Sequence, residues 1–105
     1  MTRIISNPSN PQDDVLAEVE LREPPHSRVI LHNDDYTTMD FVVQILCGIF
    51  HKPVDEAVRI MMAVHEEGRC ECGTYPREVA ETKVSIVHIK ARGAGFPLRC
   101  SLEDV

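Results

Sequence analysis

The sequence predicts an α+β fold: a small α/β sandwich in which three helices cover a three-stranded antiparallel sheet, in the order strand, helix, helix, strand, helix, strand. Three observations predict it. Short apolar or alternating runs occur at residues 27–32, 69–75 and 98–103; segments with apolar residues at helical spacing fill the intervals between them; and those segments begin and end on recognisable signals.

Taken in order, residues 1–26 are rich in Pro, Asn, Ser, Asp and Glu, including Asn7-Pro8-Ser9-Asn10-Pro11 and Pro24-Pro25. Such chemistry predicts a flexible N-terminal extension, with no more than a transient helical turn at Val15–Leu21, and leaves 27–105 as the single core domain. Val29, Ile30 and Leu31 form a strand that runs into Asn33-Asp34-Asp35. Thr37 with Asp40 three residues later matches a capping box, and Met39, Phe41, Val42, Ile45, Leu46 and Ile49 then give a broad apolar helix face.

Pro53 suits the first turn of a second helix, Asp55 and Glu56 suit its positive end, and Gly68 closes it. Val54, Ala57, Val58, Met61, Val64 and His65 are expected on its inner side. In the next strand Cys70, Cys72 and Thr74 alternate with Arg69, Glu71 and Gly73. Pro76 opens a third helix with an inner stripe of Ala80, Val84, Val87 and Ala91, ended by Gly93 and Gly95, and Leu98, Cys100 and Leu102 belong to a last strand.

Composition narrows the function. A net charge of -6 and a pI near 5.3 argue against nucleic acid, whose binding requires clustered Lys and Arg. No stretch approaches the roughly 20 apolar residues that span a bilayer, and the N-terminus lacks the apolar core of a secretory signal, so a cytosolic protein with no membrane partner is expected. Its four cysteines lie in apolar or alternating segments and read as reduced, small hydrophobic residues.

Catalysis finds no support in the motifs. Cys70-Glu71-Cys72 puts two thiols on one strand face and lacks the spacing of a structural zinc site. His65-Glu66-Glu67-Gly68-Arg69 begins like a helical zinc-protease motif but has Arg69 where the second histidine must stand. There is no nucleophile elbow and no phosphate-binding loop. The expectation is a non-enzyme without metal or cofactor.

One constellation stands out. Asn33, Asp34, Asp35, Thr37 and Met39 lie at a strand-to-helix junction, and Met61, Val64 and His65 lie on the next helix. An amide oxygen, a carboxylate and an imidazole can accept the three N–H bonds of an ammonium group, while methionine and valine line an adaptable apolar pocket. On residue types alone, an ordinary turn and a Met-rich core face account for the same residues.

Val29-Ile30-Leu31, Asn33-Asp34-Asp35-Tyr36-Thr37, Met39, Phe41-Val42, Met61, Ala63-Val64-His65, Gly68, Cys72-Gly73, Val79-Ala80-Glu81-Thr82-Lys83 and Pro97-Leu98 together resemble the bacterial adaptor family ClpS, from about Pro25 to Glu103. The resemblance implies an adaptor that binds N-degrons, substrates beginning with Leu, Phe, Tyr or Trp, and delivers them to the Clp ATPase-protease. Asn33, Asp34 and His65 would then hold the α-amino group, and Asp35 and Thr37 would shape the rim. Met39, Val42, Met61, Val64 and Leu98 would line the side-chain pocket, Met39 excluding β-branched residues. Tyr75, Glu78 and Lys83 would dock on the N-terminal domain of a ClpA-like ATPase, with the leader engaging the ATPase during delivery.

A monomer in a bacterial cytoplasm is implied in preference to the plastid stroma. Thr38 departs from the family's usual proline, a change that bears on the helix start more than on ligand contact. Two other classes compete: a general interaction module, which leaves the polar cluster unexplained, and a small metal-dependent hydrolase, for which no complete ligand set exists.

Overall fold

The computed structural model describes residues 25–105 together with the backbone of Arg3–Ile4 and Val19–Glu20, which pair as a two-residue antiparallel ladder. The rest of the leader, including most of the proposed helical turn at Val15–Leu21, lies outside the described residues. From His26 onward the chain forms β1 (His26–His32), α1 (Met39–Gly48), α2 (Val54–Glu67), β2 (Arg69–Pro76), α3 (Arg77–Gly93) and β3 (Arg99–Asp104). Both neighbours of β1 are antiparallel to it, giving the sheet order β2-β1-β3.

Val29 and Leu31 of β1 face a core shared with Leu46, Ile60, Val87, Leu98 and Cys100, all of them buried. The central strand is therefore read from both sides of its pleat. Its other face carries Arg28, Ile30 and His32, and the polar members are paired: Arg28 with Glu71, and His32 with the Ser101 hydroxyl at 2.6 Å. Arg69 of one edge strand reaches Glu103 of the other, across the row occupied by Ile30, which is only 4% exposed.

Several expectations shift in instructive ways. The cap of α1 is Thr38, whose hydroxyl accepts from the Phe41 N–H at 3.2 Å, so the Thr37–Asp40 box does not form. Thr37 is diverted because Asp34 captures both its N–H and its hydroxyl. In β2 a bulge places Val29 opposite Gly73 and Ile30 opposite Glu71, leaving Cys72 as the extra residue. The alternation changes phase there, so Thr74 is exposed and Tyr75, rather than Thr74, packs against the core.

On α2, Val54 and Val58 are exposed instead of inward, and Ile60, absent from the expected face, is buried. The helix ends as its glycine requires: Gly68 adopts φ 91°, a left-handed conformation that costs other residues a Cβ clash. On α3, Ala80, Val87 and Ala91 are buried and Val84 is half-buried, as the stripe predicts. The Ser27 hydroxyl is buried with no hydrogen-bond partner among the described residues.

Candidate functional site

The site begins where β1 ends. Asn33 leaves the strand with its N–H bonded to the Gly68 carbonyl at 2.9 Å, which ties the loop to the C-terminal end of α2. Asp34 then folds the loop around itself. Its Oδ1 accepts from the Tyr36 N–H at 2.8 Å and the Thr37 N–H at 2.7 Å, and its Oδ2 accepts from the Thr37 hydroxyl at 2.7 Å. This is the side-chain turn that Asx residues make with a following backbone.

Burial alone would raise the Asp34 carboxyl, but the two Thr37 bonds, the Tyr36 bond and the Arg92 charge outweigh it and hold the group below its ordinary value. Asp34 is thus an anion at neutral pH. Three donors use three of about four lone-pair positions on an ionised carboxylate, which leaves about one for a ligand.

A cavity of about 210 Å³ opens beside this loop. Asn33, Asp34, Asp35 and Thr37 line it from the loop, Met39 and Val42 from α1, and Met61, Val64 and His65 from α2. Val42, Met61 and Val64 are buried and form its apolar wall, whereas Met39 is 45% exposed at the mouth. Among the described residues, no hydrogen bond engages the side chains of Asn33, Asp35 or His65. His65 is exposed, so it is not a packed core histidine.

Leu98, grouped with this pocket by resemblance, is not among its lining residues; it is 1% exposed within the core, and its carbonyl accepts from Arg92 at 2.8 Å. Glu78 and Lys83 lie apart from the cavity. With Val79, Thr82 and Ile86 they line a second, shallower depression of about 400 Å³ on α3. Val79 and Ile86 are the apolar part of that surface, and helical spacing of seven positions was the signal that could have joined them.

Lys83 has structural work as well. Its Nζ donates to the Ile49 carbonyl at 2.6 Å and lies 5.0 Å from the Tyr75 ring centroid and 5.7 Å from that of Phe50. Tyr75 in turn lies over Gly73, where an added Cβ would meet its hydroxyl at 2.5 Å. Only glycine lets that ring settle there.

No group of three or more His, Cys, Asp or Glu among the described residues is placed to hold a metal ion. Burial pushes the Cys72 and Cys100 thiols up to about 12, so both are protonated at neutral pH and unsuited to nucleophilic or ligand roles. Among the described residues no helix is long and apolar enough to cross a membrane.

Comparison with known proteins bears on the same segment. A family model described as ATP-dependent Clp protease adaptor protein ClpS matches residues 22–101. The ATP-dependent Clp protease adapter protein ClpS of Nitratidesulfovibrio vulgaris (Miyazaki F) is 62% identical over 92 residues, covering 88% of this chain and 92% of that protein. The protein of the same name from Lawsonia intracellularis is 48% identical over 107 residues, covering 100% of this chain and 98% of its own.

Among solved structures, Agrobacterium tumefaciens ClpS2 bound to L-phenylalaninamide superposes with a TM-score of 0.75 at 35% identity, covering 78% of this chain and 99% of that one. Sequence, family model and backbone agree across β1 to β3, and the chain belongs to the ClpS family of ATP-dependent Clp protease adaptor proteins.

Proposed function

We propose that this chain is a non-catalytic adaptor that captures proteins by a free N-terminal Leu, Phe, Tyr or Trp and delivers them to a ClpA-like ATPase in a bacterial cytoplasm. The observation that carries this reading is the cavity, which sets polar groups lacking internal partners at its rim above an apolar wall. The phenylalanine amide bound by the structural neighbour has the two features such a site reads, a free amino group and a bulky side chain.

In this mechanism Asn33, Asp34 and His65 accept the N–H bonds of the terminal ammonium. An α-amino group titrates near about 8 in model compounds, so much of it is cationic at neutral pH and complements the Asp34 anion. Thr37 acts through Asp34, which it fixes with two hydrogen bonds, and Asp35 completes the rim. The side chain enters between Met39, Val42, Met61 and Val64. Met39 at the mouth admits an unbranched Cβ and crowds Val or Ile, discrimination by clash.

Delivery would use the α3 surface, with Glu78, Lys83 and Tyr75 beside the exposed Val79 and Ile86, meeting the N-terminal domain of the ATPase as a monomer.

Fluorescence anisotropy of labelled peptides that begin with Phe, with Met, or with acetylated Phe tests the reading. Selective binding of free Phe is expected, and acetylation, which leaves buried polar groups unpaired, should cost about 1–3 kcal/mol. Equal binding of all three peptides would return the chain to generic interaction modules.

A further inference from the structure

A polypeptide whose first residue fills the cavity must leave through its mouth, and the structure offers it a surface there. The helical walls of the cavity are Met39 and Val42 on one side and Met61, Val64 and His65 on the other, so these sides of α1 and α2 face each other. The helices are packed neighbours, and because the start of α1 meets the end of α2 across the cavity they run antiparallel.

The facing sides continue away from the mouth as an apolar seam. On α1, Val43 follows Met39 by one turn and is half-buried. On α2, Val58 stands seven positions before His65, on the same side of the helix, and Met62 and Val54 lie one turn to either side of it. Val54, Val58 and Met62 are 66%, 40% and 37% exposed, although binary patterning would place polar residues at such positions on a soluble helix.

Resting on the reading of the cavity as an N-terminal-residue site, we propose that this seam receives the side chains of the residues that follow the terminal one, roughly the second to fourth. The protein thereby selects substrates with apolar residues directly behind an apolar N-terminus. Reach supports the assignment. His65 to Val58 is a rise of about 10 Å along the helix, and three extended residues span about the same distance. Continuity supports it too, because the seam starts at Met39 and His65, which already line the cavity.

The test compares two labelled peptides with free N-terminal Phe and equal net charge, one continuing Leu-Val-Leu and the other Ser-Gly-Ser, titrated against the full chain and a V58S/M62S variant. Both substituted residues are exposed, so the variant should fold; a circular dichroism melt confirms it. The expected result is about five-fold tighter binding of the Leu-Val-Leu peptide by the wild type, an advantage that disappears in the variant while Ser-Gly-Ser affinity is unchanged.

Equal binding of the two peptides by the wild type would overturn the seam and spare the cavity. An advantage that persists in the variant would overturn it as well. Failure of both free-Phe peptides to bind would remove the cavity reading, and the seam with it. Sedimentation velocity supplies the remaining outcome: a dimer abolished by V58S/M62S would assign the seam to a second copy and overturn the proposal.

Discussion

The outer face of the sheet and the mouth of the cavity are both polar surfaces, yet their hydrogen-bonding economies differ. On the sheet, Arg28 meets Glu71, Arg69 meets Glu103 and His32 meets Ser101, and Ile30 is sealed beneath these three pairs. At the cavity, Asp34 is spent largely on the loop's own backbone, while Asn33, Asp35 and His65 are held in place with no side-chain partner among the described residues. The polar side chains around Ile30 pair with one another, whereas Asn33, Asp35 and His65 at the cavity rim pair with no described residue. A missing partner alone does not mark a site, since the Ser27 hydroxyl in the core has none either.

The two regions should respond oppositely to truncation. The largest stability effect belongs to Ile30→Ala, which empties a nearly sealed position on the central strand and should cost about 2–5 kcal/mol in a urea melt. The folded fraction should bind a free-Phe peptide as the wild type does. A loss of affinity per folded molecule would mean that the sheet face is part of the site after all.

Asp34→Ala comes next because this residue both lines the cavity and is hydrogen-bonded within the fold. It removes three acceptor contacts from the loop and the anion from the cavity, so stability should fall by about 1–3 kcal/mol, toward the lower end for a half-exposed group, and peptide binding should be lost. Acid distinguishes charge from shape. The folded carboxyl lies below its ordinary 3.8, so its contribution is fully present above that value and is lost as pH falls through the folded one. Urea midpoints of the wild type should therefore drop over this acidic window more steeply than those of Asp34→Asn.

The same residue shows why the fold was legible in the sequence while parts of the site's geometry were not. Periodicity located all three strands and helices, and Gly68 marked the end of α2, because these signals are local. Asp34's capture of Thr37 is a competition between two neighbouring hydroxyls for two roles, and the pattern alone assigned the cap to Thr37 when Thr38 takes it. The bulge at Cys72 depends on register with β1, which no single strand encodes, so Thr74 was assigned to the wrong face. Val54 and Val58 were taken for core because apolar character marks a face without saying whether the protein or a partner covers it. The gathering of Asn33, Asp34 and His65 was legible chiefly through family resemblance, since residue types alone favour an ordinary turn and a core face.

Arg69→Ala sharpens the sheet side at smaller amplitude. Its partner Glu103 is solvent-accessible, so the ion pair contributes about 0–1 kcal/mol, and raising the salt concentration should shrink the difference between variant and wild type. Peptide affinity should not change.

His65→Ala carries the smallest stability effect and separates the two regions most cleanly. The ring is exposed, sits near the end of α2 and has no hydrogen bond to another described residue, so its removal leaves no buried group unpaired and should change stability by less than about 0.5 kcal/mol. Its contribution would appear only when an ammonium occupies the cavity and the imidazole accepts one of its protons. Affinity for free Phe should then fall about ten-fold or more, while binding of the acetylated peptide, already deprived of that contact, should barely move. A parallel loss of stability and affinity would instead make His65 a member of the fold, and the contrast between the two regions would not hold at this residue.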